Sequence, residues 1–200
     1  MSHIEQYFKD ANTVLNAIDK EEVEKMIMLL SQLRERKGRL FFLGVGGSAG
    51  NCSHAVNDFR KIAGVEAYTP VDNMPELTAR VNDEGWSTVF VEWLRGSNLT
   101  KNDGVFVLSV GGGDREKNVS ANIVYALDYA KQVGTTIFGI VGRDGGYTAK
   151  SADACVIIPP INPAMVTPHT EAFQGFIWHL IVTDPRMMRM SNKWESVQSK

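Results

Sequence analysis

The stretch "LFFLGVGGSAGNCSHAVNDF", residues 40–59, decides the fold. An apolar run breaks into glycines at 44, 46 and 47, and a segment with helical patterning follows that carries His54 and Asp58. Glycines let backbone approach a ligand without Cβ interference, and the first amides of a helix attract an anion. Three readings fit: a phosphate cradle with catalytic groups attached, a nucleotide-binding turn, or a tight turn with no ligand. The nucleotide reading has support of its own. Gly44-x-Gly46-x-x-Ala49 satisfies the loose dinucleotide fingerprint, and Glu66 lies about 20 residues beyond, as that fingerprint asks.

Working outward, the same alternation recurs. "RLFFLG", "GVFVLSV", "TIFGIVG" and "ACVIIP" are short runs rich in branched and aromatic residues, each ending in Gly, Ser or Pro, and "VEAYTP" is a weaker fifth. Such runs read as buried parallel strands. Helical stretches are predicted near 50–62, 86–95, 116–133 and 169–183. The expected architecture is α/β: a three-layer α/β/α arrangement around a five-stranded parallel sheet, flavodoxin-like or Rossmann-like. Ligands are expected at the carboxyl ends of the strands.

Ahead of this core, residues 4–36 read as two helices divided by "DKEE" at 19–22. Ile4, Phe8, Ala11, Leu15 and Ile18 form one apolar stripe, which calls for a covering surface; a neighbouring subunit is the expected one. The chain reads as one domain, 1–200, with a helical preface (1–36), an α/β core (37–184) and a tail (185–200). In the tail, Trp194 and the methionines either dock on a neighbour or lie loose.

Composition narrows the function classes. The formal charge is -2 over 200 residues, with no basic run, so no field recruits nucleic acid or an anionic membrane. No apolar run approaches the ~20 residues a membrane-spanning helix needs. Cys52 and Cys155 cannot build a disulfide framework, and "MSHIEQYFKD" lacks the pattern of a signal peptide. The expectation is a cytoplasmic protein.

A second turn, "FVLSVGGGD" at 106–114, is again strand, serine, then glycines, so two turns at adjacent strand ends could grip one phosphate from both sides. The third, "IVGRDGG", reads as a strand exit and is assigned no ligand. His54 and Asp58, four apart, share a helix face and suit either a divalent ion or an acid and base beside one substrate. A capped or solvated face is the commoner explanation of such a pair taken alone. Glu171 and His179 lie eight residues apart in a mostly apolar helix, about 12 Å along it, a strained distance for sharing one ion. His179 is expected to be largely buried.

Together these pieces resemble the sedoheptulose-7-phosphate (phosphoheptose) isomerases of the sugar isomerase, or SIS, fold. The resemblance runs from the helical preface to about residue 183. It rests on "GVGGSAGNCSH", on "VNDEGW" for an Asn-Asp segment, on Ser109 opening a serine-rich phosphate loop, and on "TEAFQGFIWH". It implies a homotetramer with sites between subunits. It also implies aldose–ketose isomerisation of a sugar phosphate through an enediol, most specifically sedoheptulose 7-phosphate to D-glycero-D-manno-heptose 7-phosphate, with a divalent metal such as zinc. Carried over by position, the metal ligands are His54, Asp58, Glu171 and His179, and the acid/base pair is Asp58 and His179. Gly46, Gly47, Ser48, Ser109, Gly111, Gly112 and Gly113 would hold the phosphate, and Asn82 and Asp83 the sugar hydroxyls.

The chain departs from that pattern in several places. Asp58 stands for a glutamate, Glu171 for a glutamine and His169 for an arginine. The family's Ser-Thr-Ser-Gly-x-Ser becomes Ser109-Val-Gly-Gly-Gly-Asp114. Asp114 would repel a phosphate unless Arg115 or Lys117 compensates or Asp114 turns away. The rival readings are a non-catalytic SIS-fold tetramer that binds a partner protein or a sugar phosphate, and the dinucleotide enzyme.

Overall fold

A computed structural model of the chain describes residues 1–191 and 193. The preface forms α1 (His3–Ala17) and α2 (Lys20–Glu35). Ser2 and Glu5 make a reciprocal capping box on α1, and the Asp19 carboxylate accepts the Glu21 and Glu22 amides to start α2. The core continues as β1 (Leu40–Leu43), α3 (Gly47–Lys61), β2 (Ala67–Tyr68), α4 (Met74–Glu84), α5 (Val89–Gly96) and β3 (Gly104–Ser109). It ends with α6 (Ala121–Val133), β4 (Thr136–Val141), α7 (Gly146–Ser151), β5 (Ala154–Ile157) and α8 (Val166–Thr183). All pairings are parallel, in the order β2-β1-β3-β4-β5. The order reverses between β1 and β3, which opens a crevice at their carboxyl ends.

Alternate residues of each strand enter separate cores. Leu40, Phe42, Phe106, Leu108, Phe138 and Ile140 pack beneath α2, α3 and α8, whereas Phe41, Leu43, Val105, Val107 and Ile137 pack against α5 and α6. The pairing aligns Phe42 with Phe106 and Phe106 with Phe138, and their rings stack at 4.9 and 5.7 Å. This aromatic row crosses the sheet and adds directional contacts to plain apolar burial. Among the described residues no helix is long and apolar enough to cross a membrane.

Several boundaries differ from expectation. The segment predicted helical from 116 starts at Ala121, because Asp114 and Val119 exchange backbone hydrogen bonds and the Asp114 carboxylate accepts the Lys117 amide. That turn uses the groups a helix would need. Helix α8 begins at Val166 rather than 169, and the stretch expected at 86–95 is helical over Val89–Gly96. Helices α4 and α7 have no counterpart in the sequence reading. In the tail, Met187 is fully buried in the chain's own core, and Arg34 donates to the Arg186 and Met187 carbonyls at 2.7 Å each. Trp194 lies outside the described residues.

One ionic anchor ties the preface-side end of the sheet. Asp103, 3% exposed, accepts from the Arg39 amide and guanidinium and from the Thr100 amide and hydroxyl. Burial pushes its carboxyl up, but the Arg39 and Thr100 bonds outweigh this and hold it below the usual value. Its stabilising contribution is therefore present above the ordinary carboxylate range and is lost as pH falls through the depressed value. Asp103→Asn should cost about 3 kcal/mol or more in denaturant unfolding at neutral pH. It should also flatten the acid limb of the stability curve. An unchanged midpoint would show that the anchor contributes nothing.

Candidate active site

Helices α3 and α8 run side by side in the same direction. Near their starts, a Cβ on Gly47 would overlap both carboxylate oxygens of Glu171. One turn on, the Asn51 side-chain amide donates to the Glu171 carbonyl at 3.0 Å and to Gln174 Oε1 at 2.8 Å. Gln174 Nε2 donates to Ser48 Oγ at 3.1 Å. Further along, Trp178 Nε1 donates to Asp58 Oδ2 at 3.1 Å. Gln174 is fully buried and Trp178 is 2% exposed, so these two bonds lock the helices in step.

That register brings His54, Asp58 and His179 together. Both imidazoles aim Nε2 at the same carboxylate oxygen, His54 at 3.4 Å and His179 at 3.3 Å from Asp58 Oδ2. The imidazole side chains are 56% and 50% exposed, and the carboxylate is 8% exposed. His179 is thus half-exposed rather than buried as expected, because Ile177, Trp178, Ile181 and Val182 take up the inward face of α8. His179 Nδ1 lies 2.7 Å from the Gly175 carbonyl, which can only accept, so Nδ1 carries the hydrogen. In the neutral ring the Nε2 lone pair then faces the carboxylate, and the pair is satisfied when a proton or a cation lies between them.

The donor set fits a metal ion. One ligand atom from each of His54, Asp58 and His179 lies within 4.8 Å of the others. Two imidazoles and one carboxylate are a common catalytic zinc set, and a ligating histidine characteristically donates its second N–H to a carbonyl, as His179 does. Glu171 is absent from this group. It lies two helical turns back, over the first glycine turn, so the expected strain between Glu171 and His179 is real within one chain.

The glycine turns meet their expectations unevenly. Gly46 and Gly47 are exposed, but Ser48 is 1% exposed and its Oγ accepts from Gln174. Ser109 Oγ, also buried, accepts the Gly112 amide at 3.0 Å. The Gly112 carbonyl accepts both Thr148 N and Thr148 Oγ1, and the Gly113 carbonyl accepts Tyr147 N, which binds the second turn to the start of α7. Asp114 turns away toward Lys117, and Arg115 pairs with Asp128. Asn82 and Asp83 are exposed on α4, which packs through Leu77 and Val81 in the opposite layer from α3 and α8. Within the chain they do not join the other site residues.

A recess of about 530 Å³ lies at the β2 edge, lined by Arg39, Arg60, Tyr68 and Trp93 among others. It holds none of the groups just described. The converging imidazoles and carboxylate, apart from that recess, form the candidate site. Burial pushes the Cys52 thiol far up and that of Cys155 up to about 12, away from the reactive thiolate form. Sequence reasoning missed Asn51, Gln174 and Trp178. The available signals were slight: Asn51 falls three residues before His54, and Gln174 and Trp178 fall four apart on one face of α8, a different face from that of His179.

No protein-family model matches the chain. The sequence is 28% identical over 187 residues to phosphoheptose isomerase of Syntrophotalea carbinolica, covering 88% of this chain and 89% of that protein. It is 30% identical over 154 residues to the lincomycin biosynthesis protein LmbN of Streptomyces lincolnensis, covering 72% of this chain and 54% of that protein. The structure of phosphoheptose isomerase from Neisseria gonorrhoeae superposes with a TM-score of 0.75, over 90% of this chain and 92% of that one, at 22% identity. That likeness establishes the three-layer fold.

Proposed function

We propose that this chain, an enzyme of the isomerase class that resembles phosphoheptose isomerases of the SIS fold, interconverts a ketose phosphate and an aldose phosphate. The specific pair is sedoheptulose 7-phosphate and D-glycero-D-manno-heptose 7-phosphate, sugars of the cytoplasm. One observation carries the reading: the half-exposed His54 and His179 imidazoles converge on the Asp58 carboxylate, with His54 two helical turns and Asp58 about three along α3 from a glycine turn of bare backbone. An open-chain sugar phosphate can span that interval with its carbonyl end at the histidines.

In this mechanism the Asp58 carboxylate takes a proton from C1 of the ketose and returns it to C2. His179 Nε2 carries a proton between the two oxygens, leaving C1 as the aldehyde and O2 as a hydroxyl. The Trp178 bond holds Asp58 in place for both transfers. Asp58 is one methylene shorter than glutamate and nearly covered, so the substrate carbon descends between the two imidazoles to meet it. His54, Asp58 and His179 would hold a divalent ion such as zinc, which when bound would supply Lewis-acid polarisation of the carbonyl oxygen. His179 Nε2 carries the proton only while it is not a ligand, because its one lone pair serves either role but not both at once. Glu171, Asn82 and Asp83 would contribute to the site through assembly. Ile4 and Phe8 on α1 and Phe176 and Leu180 beside His179 are exposed apolar side chains that a homotetramer with intersubunit sites would cover.

The test is NMR of the protein of known solution mass mixed with sedoheptulose 7-phosphate, with and without prior chelation. New aldose signals from a tetramer, lost on chelation and restored by zinc, are expected. No aldose signal with metal present would reject the isomerase. A fully active chelated protein would reject the metal, and an active monomer the intersubunit site.

A further inference from the structure

We propose that Arg143 supplies the charge that grips the substrate's phosphate at the second glycine turn, an inference that rests on the isomerase reading above. Few of the hydroxyls expected there are present, and the two that remain, on Ser48 and Ser109, are buried. Ser109 Oγ accepts the Gly112 amide, Ser48 Oγ accepts from Gln174, position 111 has no side chain, and position 114 is an aspartate. Glu171 adds a second carboxylate over the first turn. A dianionic phosphate placed among these groups needs a cation.

The cations nearest in sequence are engaged elsewhere. Arg115 pairs with Asp128 and donates to the Tyr147 hydroxyl, and Lys117 pairs with Asp114. Arg143 stands on the turn between β4 and α7. That turn is fixed against the second glycine turn by the register of Ser109 with Val141 and by the bonds from Tyr147 and Thr148. Its side chain is exposed and, among the described residues, makes no hydrogen bond or ion pair. Arg143 Cδ lies 3.9 Å from the position a Cβ on Gly111 would occupy. The arginine therefore borders the space that a serine at 111 would fill.

The backbone at Arg143 has φ +55, a left-handed conformation that glycine or asparagine adopts with less strain. Retaining an arginine there fits a role for its side chain, since strain of this kind is kept where function requires it. A guanidinium in place of neutral hydroxyls makes phosphate recognition ionic, with a matching sensitivity to salt.

The experiment compares full-length wild type with Arg143→Asn, which suits the left-handed backbone, and Arg143→Lys. For sedoheptulose 7-phosphate, Arg143→Asn should raise KM by about 10- to 100-fold and leave kcat within about threefold. Arg143→Lys should recover most of the loss. The wild-type KM should rise with salt and the Arg143→Asn value should not, while the Tm of Arg143→Asn should equal or exceed that of wild type. A wild-type KM and salt response in Arg143→Asn would overturn the proposal. Should the wild type isomerise nothing, the isomerase reading falls, and calorimetry with inorganic phosphate decides the arginine separately. Binding by wild type that is lost in Arg143→Asn sustains it. Equal binding by both, or binding by neither, overturns it.

Discussion

Replacing Asp58 by asparagine should lower kcat for the isomerisation about a thousandfold or more while the protein stays folded. The magnitude is that of removing a positioned acid/base group. The fold should tolerate the change because an amide has the carboxylate's shape. Its oxygen can still accept from Trp178 Nε1, which holds Asp58 Oδ2 at 3.1 Å. What the amide cannot do is take a proton from carbon or balance charge on the two imidazoles that approach the same oxygen. Circular dichroism and Tm close to wild type, with no turnover, are the expected pair of results. Metal content of the same variant separates the roles: a loaded but inactive protein has lost its base, and an empty one has lost a ligand. Turnover above a tenth of wild type would remove Asp58 from the proton transfers.

The sequence showed the architecture because the three central strands, β1, β3 and β4, are buried on both faces. "RLFFLG" and "TIFGIVG" are continuous apolar runs for that reason, and their glycine exits mark the carboxyl ends where the turns gather. The His54–Asp58 pair was legible because its spacing is internal to one helix. Its meeting with His179 was carried by the resemblance and depends on the packing of α3 against α8. That packing is set by two buried polar bonds, Gln174 to Ser48 and Trp178 to Asp58, neither of which leaves a local pattern. Helix α4 was missed because none of its residues is buried, and α7 because six residues are too few for a period to show. The burial of Ser48 was not legible for a similar reason: it follows from the packing of α8, whose Gln174, distant in sequence, donates to Ser48 Oγ.

The glycine turns allow a second test with a large expected effect. Gly112→Ala should destabilise the protein by about 2–5 kcal/mol, the combined cost of a left-handed alanine and of overpacking. In a chain of this size that lowers Tm by about 5–15 °C. Gly112 has φ +68, and a Cβ there would overlap the Gly145 carbonyl oxygen, which is backbone and cannot rotate aside. The Gly112 carbonyl also accepts both Thr148 N and Thr148 Oγ1, so any shift that relieves the overlap breaks bonds holding the turn to α7. Gly111→Ala is the matched control. The nearest atom to its added Cβ is Arg143 Cδ at 3.9 Å, an ordinary contact, and stability should change by no more than about 0.5 kcal/mol. The two substitutions add the same methyl to neighbouring residues, so the difference in Tm reports the left-handed backbone of Gly112 and its close approach to Gly145 together. Equal melting temperatures for the two variants would mean that the second and third turns are not clamped together in solution. Arg143 would then lose the rigid mounting that its proposed contact with phosphate requires.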